Sequence, residues 1–498
     1  MEFPMKHALR LLLSTALLAI GPAHAAGTTE AEALHAIDRL SLGAAPGDLK
    51  HVMDVGVDRY IDEQLHPERL PLPQALVRRL DGLATQQLNQ RELVARFRAA
   101  TQAAEDDSAA GKAQRRELVQ QLVLESGEAR LARAQSSPRQ LEEVMVDFWF
   151  NHFNVYSGKG LVRVLAADYE REAIRPHALG RFRDLLGATA RHPAMLFYLD
   201  NWLSAAPGFQ PRVRRGPAAK AGGLNENYAR ELMELHTLGV DGGYTQQDVS
   251  ELARIFTGWT LGPRERGGNG DDRDEDGIFR FDARRHDAGT KRWLGHEVAP
   301  AGQAEGEHAL DVLAAHPSTA RHIAFKLAQA FVADEPPPAL VERVARRFRD
   351  TGGDVRATLK ALFDSPEFRD PKARDAKFKT PWRYVTSTLR ATQLPLDRLR
   401  PLLGTLNQLG MPLYGCQTPD GYKNTEAAWL NPDAIMRRVA FATALASGKL
   451  SGAPPVDADA LLGTLGGGIS ARTRAEVVQA DPKLQAALVL GSPDFMRH

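Results

Sequence analysis

Apolar residues return every third or fourth position wherever this chain is patterned, and that spacing leaves little room for sheet. Around Val249 the stripe is Val249, Leu252, Ala253 and Phe256, the i, i+3, i+4, i+7 signature of a helix with one buried face. Thr245 precedes it with Asp248 three residues on, a capping-box variant that satisfies free amides at a helix start. A second helix is expected from about Ser318, burying Ala320, Ile323, Leu327 and Phe331 and ending before Pro336-Pro337-Pro338. A third is expected from about Asp354 to Phe363, stopped by Ser365-Pro366. Alternating runs are scarce, and Ile278-Phe279-Arg280-Phe281 is the best strand candidate. The expected fold is all-α: one large multi-helix domain with minor β excursions.

The N-terminus has the layout of a secretory signal. Lys6, His7 and Arg10 lead into an apolar run from Leu11 to Ile20, Gly21-Pro22 breaks it, and Ala23-His24-Ala25 supplies small residues for cleavage after Ala25. The run is far shorter than the roughly 20 residues that span a hydrocarbon core. No paired arginines precede it and no Cys marks the cleavage site, so general secretion is expected rather than twin-arginine export or lipidation. No later segment is apolar enough to cross a bilayer. The expected organisation is a signal peptide over 1–25, a helical domain over 26–451, and a linker with a final pair of short helices over 452–498 packed on that domain. The expected location is periplasmic or secreted.

Charge is balanced, 63 Lys+Arg against 62 Asp+Glu, so no single-sign field draws nucleic acid or an anionic membrane. Cys416 is the only cysteine, which precludes an internal disulfide; a small buried apolar residue is its ordinary role, with a reactive thiol as the alternative. Residues 102–115, 205–223, 262–277 and 452–457 read as loops, the first equally as an exposed helix. Ser-Pro-acid-Phe occurs twice, at Ser365–Phe368 and Ser492–Phe495, through duplication or a shared way of ending a helix.

The densest block is Leu224-Asn-Glu-Asn-Tyr-Ala-Arg-Glu-Leu-Met-Glu-Leu-His-Thr-Leu-Gly239, followed by Gly243-Tyr-Thr-Gln-Gln-Asp-Val249 and Ala253-Arg-Ile-Phe-Thr-Gly-Trp259. With Arg39-Leu-Ser-Leu-Gly43, Phe148-Trp-Phe-Asn-His-Phe153, His192-Pro-Ala-Met-Leu-Phe-Tyr-Leu-Asp-Asn201 and Trp429-Leu-Asn-Pro432 in order, the chain resembles the bacterial exported family catalogued as domain of unknown function 1800. The resemblance covers essentially the whole mature chain. It implies one helical domain, export, and a partner in another exported protein encoded nearby. It implies no reaction.

Candidate chemistry gathers in four places. A helix over 225–238, capped by Asn225 and stopped by Gly239, sets Asn227, Glu231 and Glu234 on one face with Arg230 beside them. Glu231, Glu234 and His236 suit a divalent cation, although His236 points to another face; a brace in which Arg230 neutralises its neighbouring glutamates is the competing reading. Asn151 and His152 lie among Phe148, Trp149, Phe150 and Phe153, which suits either a packed core or a cleft where Trp149 and Asn151 contact a sugar. His286, Asp287 and Lys291 could join an acid–base or metal site only with partners such as His152 or Glu231. Asp272, Asp274 and Asp276 before Gly277 match the opening of a calcium loop, but Ala283 stands where its closing Glu belongs. The arginines Arg212, Arg214 and Arg215 read as a solvated basic loop.

No zinc signature, nucleophile elbow or phosphate-cradling loop is present. The ligand types admit a divalent metal, and nothing indicates an organic cofactor. Two functions remain: an exported accessory or assembly protein of the envelope, or a hydrolase acting on a glycan or other polymer. The second would draw on His152, Glu231, Glu234, His236 and His286.

Overall fold

Local capping starts the helices where the residue pattern demands. The structure, a computed structural model, describes residues 27–105, 109–210, 223–262, 277–450 and 452–498. The signal segment, Arg212, Arg214 and Arg215, and the calcium-loop candidates Asp272, Asp274 and Asp276 lie outside the described residues. Elements used below are α1 (Gln140–His152), α2 (Pro193–Tyr198), α3 (Asn227–Glu234) and α4 (Gln246–Ile255), then β1 (Trp259–Leu261), β2 (Phe279–Phe281), β3 (Lys291–Trp293) and β4 (His296–Val298). They continue with α5 (Gln303–Ala315), α6 (Pro317–Phe331), α7 (Pro432–Ala446) and α8 (Pro482–Leu490).

The all-α expectation holds: described residues form helices throughout, with two small antiparallel sheets, β1–β2 and β3–β4. Thr245 and Asp248 form their reciprocal cap on α4. His316 caps α6 by accepting the Ser318 amide at 3.1 Å, and His192 caps α2 in the same way through Ala194. The Ser-Pro-acid-Phe echo is a shared local bond: Ser365 and Ser492 each accept the amide of the Phe three residues on. The C-terminal part holds three α-helices rather than the expected pair, because Ala458–Leu465 and Ala471–Gln479 each have their own Asp or Ser cap before α8. Helix α8 packs on α7.

Helix α1 runs through the centre of the core. Trp149 and Phe153 are fully buried, and their rings meet Phe182, which in turn meets Phe348 edge-on at 5.6 Å. The Trp149 indole donates to Ala178 O at 2.9 Å. This corrects the sugar-contact reading of Trp149: aromatic residues at helical spacing are covered on every side here.

Beside α1 lies a buried ionic network. Arg175 forks onto Glu143 at 2.8 and 3.0 Å and reaches Glu170 at 3.2 Å. Arg130 bonds Asp147 at 2.8 Å and approaches Glu170 at 3.1 Å, while Tyr414 OH donates to Glu170 at 3.0 Å. Tyr414 opens the 414–425 segment of loop, so this network anchors that loop to the core.

Candidate functional site

The loop is fixed by two asparagines at the end of α1. Asn151 donates to Tyr422 O at 2.8 Å and accepts from Tyr422 N at 2.7 Å. Asn154 donates to Cys416 O and Thr418 O, and Tyr198 OH of α2 donates to Gln417 O at 2.7 Å. Asn151 is therefore spent on backbone, which corrects its assignment to a sugar. Gly421 sits at φ 69°, and a Cβ there would lie 2.2 Å from Asn151 O. Gly421→Ala is expected to lower stability by about 2–3 kcal/mol, from the left-handed backbone and the clash together. Urea unfolding checks this; an unchanged midpoint would mean that the loop does not need to approach α1 so closely.

This anchoring presents Asp420 toward α3. Helix α3 is shorter than the expected 225–238. Asn225 accepts the Asn227 amide, delaying the start, and Thr237 donates its hydroxyl to Leu232 O while His236 N bonds Glu231 O, unwinding the end. Gly239 still provides the left-handed stop at φ 85°. The unwinding turns His236 inward.

Arg230 pairs with Glu226 at 3.3 Å and Gln246 at 2.9 Å, not with Glu231 or Glu234. The expected brace therefore forms on one side only: Arg230 pairs with Glu226 one turn back, and Glu234 one turn on is left without it. Glu234 accepts only a long bond from Tyr244 OH at 3.4 Å, and Asn227 reaches Leu199 O at 3.3 Å. Glu231 is half-buried, and its carboxylate makes no hydrogen bond to any described residue. Burial, then the Glu234 charge, push its carboxyl above the usual range; Arg230 opposes this and Asp420 adds to it. Asp420 goes the other way. Burial would raise it, but hydrogen bonds from Lys423 (2.5 Å) and Thr418 hold it below the usual range.

Behind Glu231 lies a cluster of imidazoles. His152 Nε2 donates to His236 O at 3.1 Å, and His322 Nε2 of α6 donates to Leu235 O at 3.1 Å. The His152 ring centroid is 6.1 Å from His236 and 5.9 Å from His322. All three stay neutral: burial first, and the Lys326 ammonium with it, push His152 well down, His236 to about 3 and His322 to about 4. His152 Nδ1 and His236 Nε2 are buried without a hydrogen-bond partner among the described residues.

His286, Asp287 and Lys291 belong elsewhere, which corrects their expected link to His152 or Glu231. His286 donates from Nδ1 to Thr257 O at 2.8 Å and from Nε2 to Glu305 at 2.9 Å, and Lys291 grips Glu305 at 2.6 Å. Asp287 takes both ends of Arg254. These side chains are almost all covered and pin β3–β4 to α4 and α5. Among the described residues no group of three His, Cys, Asp or Glu side chains is placed to hold a metal ion.

The sequence model described as "Protein of unknown function (DUF1800)" matches residues 35–497. The chain belongs to the DUF1800 family. Neither a curated protein nor a solved structure matches it. In this DUF1800 chain, His152, Glu231, Glu234 and His236 gather at one place and His286 does not. Sequence reasoning missed Asp420, Lys326 and Asn154. The turn signal Thr418-Pro419-Asp420-Gly421 and the i, i+4 pair His322 and Lys326 were the available signs of two of them. No helix among the described residues is long and apolar enough to cross a membrane.

Proposed function

We propose that this protein is exported to the periplasm or beyond and hydrolyses a glycan or other envelope polymer by general acid–base chemistry. The carrying observation is a half-buried carboxylate, Glu231, that makes no hydrogen bond to any described residue and lies beside the imidazole cluster of His152, His236 and His322; burial and the Glu234 charge push it up, while Lys423 and Thr418 hold Asp420 down. Glu231 gives its proton to the departing oxygen as the polymer's C–O bond breaks. Asp420 takes a proton from the water that attacks the same carbon. The signal-like N-terminus supports export.

Purified protein is incubated with envelope polymers and new reducing ends are counted. Glu231→Gln and Asp420→Asn are each expected to lower the rate at least about 100-fold, with unfolding midpoints retained. Activity should rise with pH as Asp420 ionises and fall as Glu231 loses its proton, giving an acidic optimum. A rate that survives either substitution would refute the assignment.

One observation favours an accessory role instead. Six of the eleven exposed large apolar side chains among the described residues are Leu430, Met436, Val439, Val478, Leu484 and Leu488, all near the C-terminus. Under that reading another exported protein covers them, and Met436→Glu abolishes its co-purification from the native envelope. Recovery of the monomer alone from the unmutated strain counts against it.

A further inference from the structure

A cleft of about 30 Å³ lies between α1 and residues 411–422, and Trp382 of the helix Pro381–Thr392 lines it. Trp382 is 4% exposed, and its Nε1–H is buried without a hydrogen-bond partner among the described residues. Its ring is placed by Arg130, whose guanidinium carbon lies 4.5 Å from the ring centroid. That cation–π contact accounts for the ring and leaves the N–H unused. Trp149 shows the alternative in the same core, since its indole finds Ala178 O at 2.9 Å. An indole N–H withdrawn from water without an acceptor is unfavourable, and this one belongs to a residue that borders open space.

An acceptor stands on the same guanidinium. Arg130 binds Asp147 through Oδ1 at 2.8 Å, and Oδ2 takes no hydrogen bond from a described residue. The Asp147 side chain is 28% exposed and lines the cleft with Trp382. One donor and one acceptor around a small opening suit a hydroxyl, which accepts and donates through a single atom. The volume admits about two water-sized groups, which fits a hydroxymethyl and excludes a whole ring.

The ring bearing that hydroxymethyl rests outside. Tyr422 lines the cleft, and the Trp429 ring centroid is 6.0 Å from its own; both residues are partly exposed. Tyr422 is held by Asn151 at both its backbone N and O, and its hydroxyl donates to Pro412 O at 3.3 Å. Fixed aromatic side chains next to a small polar pocket suit the apolar face of a sugar ring.

We propose that this cleft takes the hydroxymethyl group of a neutral hexose residue in a glycan. Trp382 Nε1 donates to its oxygen, Asp147 Oδ2 accepts from it, and the sugar ring lies on Tyr422 and Trp429. The choice of a glycan rests on the hydrolase reading, but Glu231 and Asp420 do not line the cleft, and binding there needs no turnover.

Titration calorimetry on full-length Glu231→Gln protein tests this with cellotetraose, maltotetraose and xylotetraose. Xylotetraose shares the linkage of cellotetraose and lacks every hydroxymethyl. The better hexose tetramer is expected to bind at least about 10-fold more tightly than xylotetraose. In the same background Trp382→Phe keeps an aromatic ring and deletes the N–H. It should weaken hexose binding about 3- to 10-fold and leave xylotetraose unchanged, whereas a Trp382 that only packs would alter both alike or neither. Tyr422→Leu removes the stacking face and should weaken all three probes together. Failure of both hexose tetramers to bind, equal affinity for xylotetraose, or tighter binding of a tetra-alanine peptide would overturn the proposal. Hydrolysis undiminished in Glu231→Gln would refute the acid–base reading and leave a hydroxymethyl preference standing. Glu231-dependent hydrolysis without that preference would do the reverse.

Discussion

Glu305→Ala is expected to cost about 3–5 kcal/mol of folding stability, the penalty for breaking a buried pair from one side. Glu305 is covered completely and accepts from Lys291 at 2.6 Å, His286 at 2.9 Å, and the Ala301 and Gly302 amides at 2.8 and 3.0 Å. Without it Lys291, itself fully buried, faces no carboxylate. The pH dependence carries the same signature. Burial alone would raise Glu305, but the Lys291, Ala301 and His286 bonds hold it below the usual carboxylate range. A carboxyl lowered on folding contributes stability that is present above its unfolded value, about 4.3, and is lost as pH falls through its folded value. The parent should therefore lose this contribution in acid, and the gap to Glu305→Ala should close there. Urea unfolding at pH 7 and pH 3.5 measures both. A pH-7 loss under about 1 kcal/mol would show that the β3–β4 hairpin does not depend on this triad.

The helices were legible because their signals are local. Thr245, Asp248 and the Val249 stripe lie within a few residues of one another, and the structure places α4 there. Asp354 caps its helix as the pattern suggests, accepting the Ala357 amide at 2.7 Å. The site was legible only in pieces. Asn151 is 271 positions from the Tyr422 it holds, so nothing near Asn151 announces that its amide is committed. Trp149 misled for a related reason: an aromatic beside an amide suits a sugar, but helical spacing already favoured burial. His286 needed Glu305, a residue in the first turn of another helix, to explain it. The polar face of α3 was visible, yet the choice of Glu226 over Glu234 by Arg230 depends on Gln246 from α4, which only packing reveals.

Arg130→Met should be comparably severe, at about 3–5 kcal/mol, and it should reach the site. Arg130 is the cation between Asp147 and Glu170, and its guanidinium also lies over Trp382 at 4.5 Å and Tyr414 at 5.5 Å. Its loss leaves Arg175 as the cation hydrogen-bonded to Glu143 and Glu170, with Arg133 facing the same pair and only Arg383 acting on Asp147. Burial already pushes Asp147 above its usual range, with Arg130 the main opposing influence. Without that influence Asp147 should rise further and take up a proton on mild acidification, so the variant should recover part of the deficit between pH 7 and pH 5. A deficit constant over that interval would mean that lost ring contacts, not unbalanced charge, are responsible. Tyr414 connects this to function, since its hydroxyl ties the loop bearing Asp420 to Glu170. Loosening that tie should speed amide hydrogen exchange through residues 414–423 while α4, braced independently by Asp287 and Glu251, keeps its protection. Exchange that rises equally in both would show that the network stabilises the whole domain rather than positioning the loop.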